Sequence, residues 1–245
     1  MKRVILGSIV LALATAFSSC QTRKPPEEKG DQETVQQTGF TPGAAISRLH
    51  FDGGSYPDLF ASSTYAVWVD EAVTSLRREA AVQAGETVGA EEEAEAVRIA
   101  REYVIVECHL DSVFSDMSIG YDAVGFRGLQ VYLSTPDGRK IAPIQTLIGT
   151  PLKTEPREAL KLFGRTNLVV FPKHDLWLGV PLVGKDAPSV RLVLEGHQSV
   201  FYFEWPTGVP AAPTPTVSAG EAAEVLKVGF REFHERVRQL AHIFG

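Results

Sequence analysis

Two periodicities sort this 245-residue sequence into an α+β fold: an antiparallel β-sandwich with flanking N-terminal helices and a C-terminal amphipathic helix. Between residues 101 and 206 apolar side chains recur at every second position, as a strand with one buried face requires. The sets are Val104, Val106, Cys108 and Leu110, then Leu129, Val131 and Leu133, then Phe201, Phe203 and Trp205. On either side of that window the spacing changes to three and four. It does so in Tyr65, Val69, Ala72, Leu76 and Ala80, and again in Leu226, Phe230, Phe233, Val237, Leu240 and Phe244. The length suits one domain of ordinary size with accessory segments.

The N-terminus sets the address. Lys2 and Arg3 precede an apolar run, residues 4–16, that is shorter than the roughly 20 residues a membrane span needs. Residues 1–19 therefore read as a signal peptide. Phe17-Ser18-Ser19-Cys20 resembles the lipobox of bacterial lipoproteins, in which small residues precede a cysteine that becomes the lipidated first residue. The resemblance implies a diacylglyceryl group on the Cys20 thiol and a third chain on its amine, and two or more chains anchor a protein stably. Gln21, in place of Asp, resembles the outer-membrane default of that family, so the expected location is the cell envelope, lipid-anchored in the outer membrane. Ala14-Thr15-Ala16 offers the alternative of ordinary secretion. Residues 20–42 are the lipidated Cys and a flexible polar tether that spans about 25 Å as a coil.

The first 19 residues hold two of the 24 basic side chains and none of the 30 acidic ones, so the chain from Cys20 onward carries a net charge of −8. That balance excludes nucleic acid and anionic lipid as main partners. With Cys20 acylated, Cys108 has no disulfide partner; flanked by Val106 and Leu110, it reads as a small core hydrophobe.

Residues 43–100 are expected to be mainly helical. The apolar face listed above places a helix over 65–84, with Arg77 and Arg78 off that face and Gly85 as a stop; residues 66–69 (AVWV) fit a strand as an alternative. The acidic run 86–95 reads as the solvated face of a helix.

From residue 101 the texture is β. The β pattern of 129–133 leads through Thr135-Pro136-Asp137-Gly138, a turn in which Pro sets the first corner and Gly accepts positive φ, into a hairpin with 139–144. Residues 167–171, ended by Pro172, make another strand, and 190–194 turn through 195–198 into 200–205. Six or so short strands at this spacing resemble the immunoglobulin-like modules of bacterial envelopes. In such modules loops carry contacts, which makes Leu176, Trp177 and Leu178, between Pro172 and Pro181, the candidate binding loop. The alternating Phe201, Phe203 and Trp205 read as one layer of the core.

A search for catalytic chemistry returns no candidate residue, and no cofactor or metal site is expected. There is no Gly-rich phosphate loop, G-x-S-x-G or C-x-x-C. In His234-Glu235-Arg236-Val237-Arg238, Arg238 stands where the zinc motif H-E-x-x-H needs its second ligand. Cys108 and His109 are adjacent on a strand and so point to opposite faces.

Residues 207–217 are a stiff Pro-rich spacer, and Ser218 to Glu221 fit a capping box that opens the helix 218–245. Its narrow seam of Leu226, Phe230, Phe233, Val237, Leu240 and Phe244 is the candidate interaction element, seated on the protein's own sandwich or on a protein partner. The expected function is a lipid-anchored envelope protein with a non-enzymatic binding or structural role. The alternatives are an envelope hydrolase or metal-handling enzyme, and an accessory lipoprotein of a secretion or export machine.

Overall fold

The computed structural model describes residues 44–112, 117–150, 152–153, 163–175, 178–183 and 188–207, and in the C-terminal segment Val225, Phe233, Glu235, Arg236 and Gln239. The chain divides into two units, Met1–Gln37 and Thr38–Gly245, and every described residue belongs to the second. In chain order this unit holds β1 (Ile46–Arg48), β2 (His50–Gly54), β3 (Tyr65–Val69), α1 (Glu71–Gln83), α2 (Ala90–Glu102), β4 (Tyr103–Ser112) and α3 (Met117–Val124). Then follow β5 (Gln130–Ser134), β6 (Lys140–Ile141), β7 (Gln145–Leu147), β8 (Leu152–Lys153), β9 (Phe163–Pro172), β10 (Ser189–Glu195) and β11 (Ser199–Pro206).

The strands form two antiparallel sheets. The first has the order β1-β3-β4-β9-β7, with β8 also paired to β9; the second runs β2-β11-β10-β5-β6. β4 and β9 make the longest ladder, from Tyr103 opposite Pro172 to Ser112 opposite Phe163. The sheets share one core: Ala66, Val104, Val106, Cys108, Leu110, Val169 and Phe171 from the first meet Leu133, Leu192, Leu194, Phe201, Phe203 and Trp205 from the second. Leu129 and Val131 pack against its margin. The aromatic layer expected of β11 lies there, with the Trp205 ring edge-on to Trp68 at 5.5 Å and its indole N–H donating to the Ala45 carbonyl at 2.9 Å. Each such side chain contributes about 1.5 to 3 kcal/mol by leaving water.

The expectation of a mainly helical region over 43–100, with a helix from 65 to 84, is corrected. Residues 46–69 supply β1, β2 and β3, and only Glu71–Gln83 and Ala90–Glu102 are helical. Tyr65 and Val69 satisfied a helical spacing by coincidence. They belong to a strand with apolar residues on both faces, Val67 and Val69 toward the helices and Ala66 and Trp68 toward the second sheet. The helix begins where Asp70, in extended conformation, caps it by accepting from the Val73 N–H at 2.8 Å.

β4 also departs from expectation. Its burial is nearly continuous, because α1 and α2 cover the face that the alternation assigned to solvent. The second face carries Tyr103 and Ile105 in a satellite cluster with Ala45, Ile46, Val67, Val69, Val73, Ile99, Leu168 and Phe233. The 135–138 turn forms as its residues dictate, with Gly138 at φ +81° and its N–H donating to the Thr135 carbonyl at 2.9 Å.

Candidate functional site

Among the described residues, buried titratable side chains converge on that second face of β4. Strand alternation aims Glu107 and His109 at α1, and α1 returns a cation: Arg77, one turn beyond the buried Val73, points inward rather than to solvent. Its Nη1 and Nη2 donate to Glu107 Oε2 and Oε1 at 3.0 and 2.8 Å, a bidentate pair with Arg77 1% and Glu107 6% exposed. His109 Nε2 lies 2.6 Å from Glu107 Oε1, and its Nδ1 lies 3.1 Å from the Thr166 hydroxyl on β9. The imidazole stacks on Tyr65 of β3 at 4.3 Å.

Phe233 and Arg236 close this cluster. The Phe233 ring covers the Arg77 guanidinium at 5.0 Å and is 2% exposed, while Arg236 donates to the Thr166 carbonyl at 2.5 Å. Burial by itself would favour a protonated Glu107. The Arg77 charge and the His109 contact outweigh it and hold the carboxyl well below the usual carboxylate range. Burial, reinforced by the Glu107 charge, pushes the Tyr65 hydroxyl up to about 12 and raises the Cys108 thiol on the opposite face.

Glu107, His109 and Thr166 form a carboxylate, imidazole and hydroxyl in line, the connectivity of an acyl-transfer relay. Here the carboxylate is committed to Arg77, and the Thr166 backbone is engaged by Arg236. The chemistry this favours is a buried internal ion pair covered by the Phe233 ring. Among the described residues, no group of three His, Cys, Asp or Glu side chains is placed to hold a metal ion.

Of the residues singled out from sequence, Phe233 lies in this cluster. Cys20 lies outside the described residues, as do Leu176, Trp177, Leu226, Phe230, Val237, Leu240 and Phe244. Leu178 is 75% exposed, beside the exposed Val180. Around it, the Asp175 carboxylate accepts from the Leu178 N–H at 2.8 Å, the Asp175 carbonyl accepts from the Gly179 N–H at 2.9 Å, and His174 bridges Pro181. Phe233 reaches the satellite core of its own chain.

Arg77, Glu107, His109 and Thr166 were not anticipated. The sequence places Arg77 only off the apolar face of its helix, and the one signal available is the pair Glu107 and His109, polar at alternate positions of an otherwise apolar strand. A separate open cleft of about 420 Å³ lies where the chain crosses from β1 to β2, with Phe51, Phe60 and Phe201 among its walls and Arg48, His50 and Thr64 beside them. No protein-family model, no curated protein and no solved structure matches this chain, so the residues themselves carry the functional argument.

Proposed function

We propose that this chain is a lipid-anchored protein of the cell envelope, held at the outer membrane through Cys20, whose immunoglobulin-like sandwich has a binding or structural role. The observation that carries the reading is Leu178: a large apolar side chain 75% exposed, with its backbone N–H bonded to the Asp175 carboxylate. An exposed apolar residue on a loop is available for contact, whereas Phe201, Phe203 and Trp205 of β11 are consumed by the core. Two antiparallel sheets of six and five strands around one aromatic core support the immunoglobulin-like description. The burial of Phe233 in its own chain supports a helix that completes the domain over one that docks on an export machine.

Two measurements test this together. Mass spectrometry of the mature N-terminus is expected to find acylated Cys20; an unmodified chain starting at Phe17 overturns the anchor. A photo-crosslinking amino acid at position 178 of the membrane-anchored protein is expected to trap one discrete partner in cells, and the same probe at the exposed position 82 of α1 is not. Equal labelling at both positions refutes the contact role of the loop.

A further inference from the structure

We infer that Arg165 is the recognition group of a small-oxyanion site, for a phosphate, sulfate or carboxylate held between β9 and the end of α3. Arg165 stands opposite Leu110 in the β4–β9 ladder, and alternation turns it with Asn167, Val169 and Phe171 away from the Arg77 cluster. It is only 9% exposed. Among the described residues no carboxylate, carbonyl or hydroxyl accepts a hydrogen bond from its guanidinium, and its Nε is buried without a partner. What it does touch is the ring of Tyr121, 4.9 Å from Cζ.

The contrast with Arg77 is informative. That buried guanidinium also lies against an aromatic ring, Phe233, but its fork is filled by the Glu107 carboxylate. Arg165 has the aromatic face and, among the described residues, no acid, in a chain whose 30 acidic side chains outnumber its cations. A desolvated cation with an empty fork is costly, and a planar oxyanion is the ligand whose geometry fills it.

The neighbouring polar groups are engaged elsewhere. Asn167 is committed at both ends, its Nδ2 to the Val124 carbonyl at 2.7 Å and its Oδ1 to the Gly149 N–H at 3.1 Å. Asp122, next to Tyr121, pairs with Arg127 on the exposed side at 3.4 Å. Position 125 is glycine, and a Cβ there would lie 2.6 Å from Arg165 Nη1. Glycine here spares Nη1 that clash, and Tyr121, itself 41% exposed, covers the guanidinium beside it.

The test uses the full chain, melted in phosphate, sulfate, acetate or chloride at matched ionic strength, with equilibrium dialysis of radiolabelled phosphate alongside. Wild type is expected to show a saturable rise in melting temperature with at least one of the three oxyanions over chloride. A response to phosphate and sulfate assigns a tetrahedral oxyanion, and a response to acetate alone assigns a carboxylate. Arg165→Gln is expected to abolish the rise and, in chloride, to melt no lower than wild type, because it removes an unpaired buried charge. Gly125→Ala keeps the charge but crowds the Nη edge against a mobile side-chain end, so it is expected to fold and to lose at least tenfold in oxyanion affinity. A wild type indifferent to all three oxyanions overturns the inference, and so does a rise that persists undiminished in either variant.

Discussion

Removing the Glu107 carboxylate is the most direct probe of the cluster beneath Phe233. Glu107→Leu strands the Arg77 guanidinium at 1% exposure with no counter-charge. Breaking a buried pair from one side costs about 3 to 5 kcal/mol, and a domain of this size loses about 2 to 4 °C per kcal/mol, so the melting temperature should fall by on the order of 10 °C. The double variant Arg77→Met with Glu107→Leu should recover most of that loss, because a well-packed apolar pair of similar volume replaces both desolvated charges. The pH dependence has a definite sign. Glu107 is held ionised in the folded chain far below its ordinary value of 4.5, so between those two values the unfolded chain binds the extra proton. Its contribution is therefore present above about pH 4.5 and drains away as pH falls toward the depressed value. Thermal melts of wild type, both single variants and the double variant, at pH 7 and at pH 4, measure the cycle. A Glu107→Leu protein that melts with wild type, or a double variant as unstable as the single, would refute the coupling.

Three further outcomes follow from the packing. Phe233→Ala should lower the stability of the monomer by about 3 to 5 kcal/mol in a denaturant titration, since the ring is fully enclosed by its own chain; an unchanged midpoint would mean that the sheet does not hold this segment. Gly54→Ala should loosen β2 from β11, because Gly54 sits at φ +125° and a Cβ there would meet the Gln198 carbonyl oxygen at 2.0 Å. Hydrogen exchange at the Ser55 amide, which donates to that same carbonyl at 2.7 Å, reads it out. In a Cys20→Ser background, Cys108 should resist a thiol-specific disulfide reagent at pH 8 and react fully in denaturant, since burial raises its thiol and encloses it; rapid native labelling would contradict the core placement.

The parts of the fold legible in the sequence are those that one strand dictates by itself. Alternation identified one face each of β4, β5, β10 and β11, and Val104, Val106, Leu133, Leu192, Leu194, Phe201 and Phe203 are buried between the sheets as that pattern requires. The 135–138 turn likewise needs only its own Pro and Gly. What failed were decisions that depend on a distant segment. Residues 65–69 carry apolar side chains at every position, and a run that short fits helix or strand equally until the β1 and β4 edges on either side of it are known. Glu107, His109 and Arg77 each read as a solvated residue when taken singly, because an isolated charge belongs in water.

Tertiary structure reversed that reading. α1 lays Arg77 on the outer face of β4, β9 brings Thr166 to His109, and Phe233 arrives from far along the chain to exclude water. A buried charge is tolerated only as a pair, and the two halves of this pair lie 30 residues apart on elements of different type. Local periodicity therefore determined which side chains share a face. Only the assembled chain decided which faces meet, and with them where charge could be buried and where, at Arg165, it has no acid among the described residues.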